Sequence, residues 1–182
     1  MTDNAYLSLK HEIFAAVKQN DIKGINRLVS TRNVDNQDEQ KNTILYNAVK
    51  NGSGQDTIRA LLEHKADPSV NCDIGLTPIH AAIEFRNIDI VKILVNILPS
   101  LNINRLLTEN QSSVLHSAAI GIKNGNIAAW DSIEFLIKEK NTNPFIENVN
   151  KQSARDILCN INQICANRYD EIIDKNYCCT NS

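Results

Sequence analysis

The chain has 182 residues, of which 42% are hydrophobic and 22% charged, enough apolar material for a real core and a prior for one domain over 1–182. Lys and Arg number 19 against 21 Asp and Glu, evenly spread and without a basic block, so nucleic acid is not the expected partner. The longest apolar runs, such as Ile93-Leu94-Val95, are too short to span a bilayer, and residues 1–12 carry no basic-then-apolar leader.

Taken in chain order, apolar residues recur as paired helical segments. The first pair is Ile13-Phe14-Ala15-Ala16-Val17 with Ile25-Asn26-Arg27-Leu28-Val29. The second is Thr43-Ile44-Leu45-Tyr46-Asn47-Ala48-Val49 with Ile58-Arg59-Ala60-Leu61-Leu62. The third opens Thr77-Pro78-Ile79-His80-Ala81-Ala82 and continues through Ile90, Val91, Ile93, Leu94 and Val95, a broad apolar face at helical spacing. The fourth is Ser113-Val114-Leu115-His116-Ser117-Ala118-Ala119 with Ile133-Glu134-Phe135-Leu136-Ile137, and a worn fifth copy reads Ser153-Ala154-Arg155-Asp156-Ile157-Leu158. A last helix is expected over 169–176. In the third copy Thr77 can cap the first helix, and Pro78 stands at its first position, where the missing N–H costs nothing. Ala81 and Ala82 are small enough for antiparallel helices to pack closely.

This pattern resembles the ankyrin repeat, a unit of about 33 residues marked by T-P-L-H-x-A. Thr77-Pro78-Ile79-His80-Ala81-Ala82 is the best match, and Lys65-Ala66-Asp67-Pro68 echoes the phrase Gly-Ala-Asp-Pro that ends a repeat, as Asn141-Thr142-Asn143-Pro144 does more loosely. The resemblance covers about residues 7–165. It implies an all-α solenoid of stacked helix-turn-helix units with short β-hairpin loops, because one unit cannot bury its apolar face alone. The expected repeats span 7–35, 36–69, 70–103 and 104–145, with a C-terminal cap over 146–182. The resemblance also implies that His80 and His116 are structural, bonding loop backbone and tying neighbouring repeats together.

The repeat anchors fall at His11, Thr43, Thr77, Ser113 and Ser153, at spacings of 32, 34, 36 and 40 residues. Repeat one carries His11-Glu12 in place of Thr-Pro and reads as an N-terminal cap. One extra residue lies within 53–56 and about three within 98–111. The longest insertion lies within 120–130 and ends on Trp130, to be housed in a long inter-helix loop or an extended helix.

Catalytic signatures are missing from the sequence. There is no G-x-S-x-G, no P-loop and no G-x-G-x-x-G, and the acidic pairs Asp38-Glu39 and Asp170-Glu171 sit in polar surroundings. The chain is therefore read as a non-enzyme without cofactor, metal or small-molecule substrate. A catalytic group within the insertion near 124–131 would need a deep pocket with a buried charge. His64, at the end of a second helix, reads as solvated surface.

The activity implied by the resemblance is binding another protein through the concave face of hairpin tips and first helices. Carrying the repeat register along the chain gives the variable positions: Lys18 and Gln19 in repeat one, then Glu39, Gln40, Asn42, Lys50 and Asn51 in repeat two. Repeat three gives Asp73, Ile74, Leu76, Glu84 and Phe85, and repeat four gives Glu109, Asn110, Ser112, Ile120 and Gly121. Ile74, Leu76 and Phe85 are apolar where the fold leaves positions exposed, the usual appearance of an interface centre, unless they pack on a neighbouring repeat. The partner-binding set is Ile74, Leu76, Glu84, Phe85, Asn110, Ser112, Ile120 and Trp130, where Trp130 either anchors the insertion or faces a partner.

Five cysteines without metal spacing fit free thiols in a reducing cytosol. Cys179, fourth from the end before Thr180-Asn181-Ser182, has the outline of a prenylation box, but without the aliphatic pair or a polybasic stretch. Asn (25) and Ile (24) are unusually frequent, a codon bias that points to an AT-rich genome. The resulting reading is a monomeric, cytoplasmic interaction module. It resembles stand-alone ankyrin effectors of intracellular bacteria, which act in the host-cell cytosol. The alternative is an inhibitor resembling the ankyrin inhibitors of Rel-type transcription factors.

Overall fold

The computed structural model describes residues 3–70, 72, 75–85, 88–97, 103–104 and 111–176, with side chains from residue 7 onward. Ile74, Asn110 and Cys179 lie outside the described residues. The chain forms two compact units, Met1–Ala81 and Ala82–Ser182, with the boundary inside a helix. Among the described residues all regular structure is helical.

The first unit holds α1 (Asp3–Lys18), α2 (Ile22–Leu28), α3 (Ile44–Lys50), α4 (Gln55–Glu63) and the start of α5 (Pro78–Glu84). First helix packs on first helix and second on second: α1 against α3, and α2 against α4. The sequence dictates this, because Ile13, Ile44 and Leu45 on the first helices, and Ile25, Ile58 and Leu61 on the second, are all fully buried. Polar side chains pin the repeats together at the inter-helix turns. Ser53 Oγ donates to the Val17 carbonyl at 3.3 Å, and Asn20 Oδ1 accepts from the Gly54 N–H (2.9 Å) and the Thr57 hydroxyl (2.8 Å). α2 is capped by Asp21, whose carboxylate accepts from the Gly24 N–H at 3.0 Å, and a Cβ at Gly24 would fall 2.3 Å from that same carboxylate. His11, at the expected anchor of repeat one, lies exposed in mid-helix, because α1 has no capping residue there and runs back to Asp3. His64 closes α4 half-buried, with Nε2 3.0 Å from Asn26 Oδ1.

The second unit continues α5 and adds α6 (Ile88–Ile97), α7 (Val114–Lys123), α8 (Ala129–Lys140), α9 (Ala154–Cys159) and α10 (Gln163–Asn176). Again α7 packs on α9, α6 on α8, and α8 on α10. The insertion in repeat four goes mainly into helix. α7 has 10 residues where α3 and α5 have 7, and α8 has 12 where α4 has 9. Within the 124–128 turn, buried Asn126 donates from Nδ2 to the carbonyls of Ile83 (3.0 Å) and Glu84 (3.1 Å) at the end of α5. Trp130 at the head of α8 is 5% exposed, and the Arg168 guanidinium of α10 lies 4.7 Å from its ring centre.

The last helix is longer than expected, 163–176 rather than 169–176. Asn162 Oδ1 accepts from the Cys165 N–H at 2.9 Å and starts the helix early. With α9 it makes a complete fifth helix pair. Ser153 and Asp156 cap α9 reciprocally, Arg155 and Asp170 form a two-pronged ion pair at 2.7 and 2.8 Å, and the buried Tyr169 hydroxyl donates to the Pro144 carbonyl at 3.1 Å.

The expected hairpin loops reduce to single-rung turns, here called fingers. Asp38 N–H donates to the Asn42 carbonyl (2.9 Å), Cys72 to Leu76 (2.8 Å) and Asn148 to Gln152 (2.9 Å). Among the described residues the one bridge, Gln37 to Thr43, does not extend into strands, because the chain turns straight into a capped helix. Each of these fingers has a left-handed residue just before its last rung, at Lys41, Gly75 and Lys151, with φ of 58°, 78° and 57°, and Gln111, just before Ser112, takes the same conformation at 50°. Only one of the four is glycine. The repeat-end phrases share the same device, since Lys65 (φ 72°) and Asn141 (φ 49°) turn the chain out of α4 and α8.

Candidate functional site

A groove of about 390 Å³ lies in the second unit between fingers and first helices. Ser112 and the 148–152 finger form one wall, and Ile120, Lys123 and Asn124 of α7 and its cap, with Ile157 and Asn160 of α9 and its cap, form the rest. Its chemistry is unusual for a polar surface. Five carboxamides line it (Asn124, Asn148, Asn150, Gln152, Asn160), with two isoleucines, one cation and no carboxylate.

The groove is held from beneath by His116, which is fully buried. Its Nδ1 lies 3.1 Å from the Ser113 backbone N and 2.8 Å from Ser113 Oγ, and Nε2 lies 2.8 Å from the Gln152 carbonyl. A backbone N–H can only donate, so Nδ1 is the acceptor and the ring proton sits on Nε2, donating to Gln152. The imidazole is therefore neutral. Burial pushes its pKa below the ordinary value of 6.5 and outweighs the raising effects of the Gln152 carbonyl and of Asp156. Within the finger, Asn148 Oδ1 accepts from the N–H groups of Asn150 (2.9 Å) and Gln152 (3.1 Å). His80 repeats the first half of this arrangement, with Nδ1 2.8 Å from Thr77 Oγ1 and 3.4 Å from the Thr77 backbone N.

The sequence-derived residues scatter. Ser112 (8% exposed) and half-buried Ile120 line the groove together. Leu76 is half-buried in the finger of the first unit, where its carbonyl takes the Cys72 N–H. Glu84 ends α5 in the second unit and Phe85 follows it in a turn, at 45% exposure. Trp130 leaves the candidate surface altogether, because its ring is packed into the α8–α10 core under Arg168.

Sequence reasoning missed Lys123, Asn124, Asn148, Asn150, Gln152, Ile157 and Asn160. A signal for three of them was present. Stepping the variable positions Asn110, Ser112 and Ile120 forward by the 40 residues that separate Ser113 from Ser153 gives Asn150, Gln152 and Asn160. The family model for ankyrin repeats, in three copies, matches residues 13–106. A search of the curated proteins finds no match.

Proposed function

The chain belongs to the ankyrin-repeat family, whose domains are generally protein–protein interaction modules rather than enzymes, and we propose that it binds a partner protein with the groove of repeats four and five at the centre of the contact. The observation that carries this is the groove lining. Asn124, Asn150, Gln152 and Asn160 make no side-chain hydrogen bond among the described residues, although the finger behind them is rigidly built. Polar groups on a fixed scaffold, with apolar Ile120 and Ile157 between them, have the composition of a contact surface: orienting groups around a small apolar floor. The repeats are taken as 7–35, 36–69, 70–103 and 104–145, with 146–182, which holds the fifth helix pair and is called repeat five, closing the array.

The finer reading is a host-directed effector of an intracellular bacterium, working by occupying a host protein's surface. The Asn- and Ile-rich composition supports it. No residue in either unit favours the Rel-type inhibitor over it. Affinity capture from eukaryotic lysate, with wild type beside an Ile157→Asp/Asn160→Ala variant of unchanged far-UV CD, tests both levels. A protein retained only by wild type supports the groove. Equal retention by both moves the contact elsewhere, with Phe85 the next residue to change.

A further inference from the structure

We infer that the groove of repeats four and five takes an extended segment of a partner's main chain, held through its peptide groups and carrying an acidic side chain towards Lys123. This rests on the reading of the groove as the contact surface and adds the chemistry of what enters it.

A carboxamide offers one acceptor and two donors, in the same planar arrangement as a peptide group. Four such groups, on Asn124, Asn150, Gln152 and Asn160, face the groove with no bond to the described residues, and Asn148 uses only its oxygen, leaving Nδ2 over. A partner helix could meet them only with side chains or its ends, because its interior backbone N–H and C=O groups are already paired along the helix. An apolar knob would bury them without partners, which is unfavourable. An extended chain presents a free N–H and C=O at every residue, and alternate side chains point into the surface. Ile120 and Ile157 give such a side chain an apolar seat.

Charge narrows the segment further. Lys123 is exposed, makes no ion pair among the described residues, and is the lone charge in the lining. A basic segment would meet repulsion there, and an acidic one meets a partner. Recognition of this kind reads backbone first and side chains second, so it tolerates sequence variation but not loss of peptide N–H groups.

The test uses the full chain and a displayed library of linear peptides, followed by synthesis of the best binder in plain form and with alternate backbone amides N-methylated. The expected result is enrichment of Asp or Glu at one position, and a loss of about tenfold or more in affinity on N-methylation and in Lys123→Glu or Asn150→Ala/Asn160→Ala. Asn167→Ala, on the second helix of the last pair, should bind as wild type. Side-chain amide resonances of Asn150, Gln152 and Asn160 should shift on titration with the plain peptide. Equal affinity of the N-methylated peptide, or unmoved amide resonances, overturns the inference. A lysate partner lost in groove variants, with no linear peptide selected, overturns it while leaving the groove as the contact surface. Groove variants that change neither capture nor peptide binding remove the contact surface and this inference together.

Discussion

The fingers of repeats two and five share one geometry and differ in chemistry. In the first unit, Asp38 accepts from the N–H groups of Gln40 and Asn42, both at 2.9 Å. In the second, Asn148 accepts from Asn150 and Gln152 in the same pattern, at 2.9 and 3.1 Å. Both fingers close on a lysine of φ near 58°. The carboxylate also gathers the Asn42 and Asn47 side chains at 3.1 and 2.7 Å, whereas the carboxamide gathers none and leaves its neighbours facing the groove. Finger shape therefore follows from an acceptor and a left-handed residue at fixed positions. Whether the surface is closed on itself or open to a partner follows from which acceptor it is and from what stands nine residues on, Asn47 in the first unit and Ile157 in the second.

The largest effect should come from deleting the acceptors. Asp38→Ala should cost about 1.5–3 kcal/mol, because four bonds to a charged group go at once, and Asn148→Ala about 1–2 kcal/mol. Urea unfolding with amide hydrogen exchange at Asn42 and Gln152 would check both, and equal costs would break the comparison. Acid should separate the fingers next. Asp38 titrates below the ordinary 3.8: burial would raise it, but the bonds from Asn47, Asn42 and Gln40 prevail. Its folded-state pKa is depressed, so its stabilisation is present above 3.8 and is lost as pH falls through the lower folded value. Asn148 does not titrate, but the finger it builds hangs on neutral His116. Below pH 6.5 the unfolded chain takes up a proton that buried His116 refuses, so stability falls from 6.5 towards its lower folded pKa. Exchange protection at Gln152 should therefore weaken in mild acid while that at Asn42 holds, and simultaneous loss would contradict the assignment. The smallest effect is shared. Lys41→Gly and Lys151→Gly relieve left-handed strain against a more flexible unfolded chain, and each should stabilise by a few tenths to about 1 kcal/mol in urea midpoints.

Much of this fold was legible because the repeat writes its caps in sequence. Thr43, Ser113 and Ser153 stand at the helix starts they were read to occupy, and Thr77 immediately precedes α5. The structural role of His116 was also legible, and it tied the finger of the next repeat as the resemblance implied. Repeat one was misregistered at His11, because that position carries no capping hydroxyl and lies within a continuous helix. The groove was half-read. Ser112 and Ile120 were marked, but Asn150, Gln152 and Asn160 were assigned to a cap, since Ser153-Ala154-Arg155-Asp156 keeps the capping hydroxyl and loses both Pro and His. Trp130 could not be oriented from sequence, because Arg168, the residue that covers it, is distant along the chain and belongs to a helix expected to start only at 169.

Trp130 is the only tryptophan in the chain, and it lies buried in the second unit beneath a guanidinium. Its fluorescence is thus an optical probe addressed to one unit alone, while far-UV circular dichroism sums the helices of both. Following the two signals through one denaturation reports cooperativity without any added label. Superimposed curves would mean that the repeats melt as one body, and separated curves would give each unit its own midpoint.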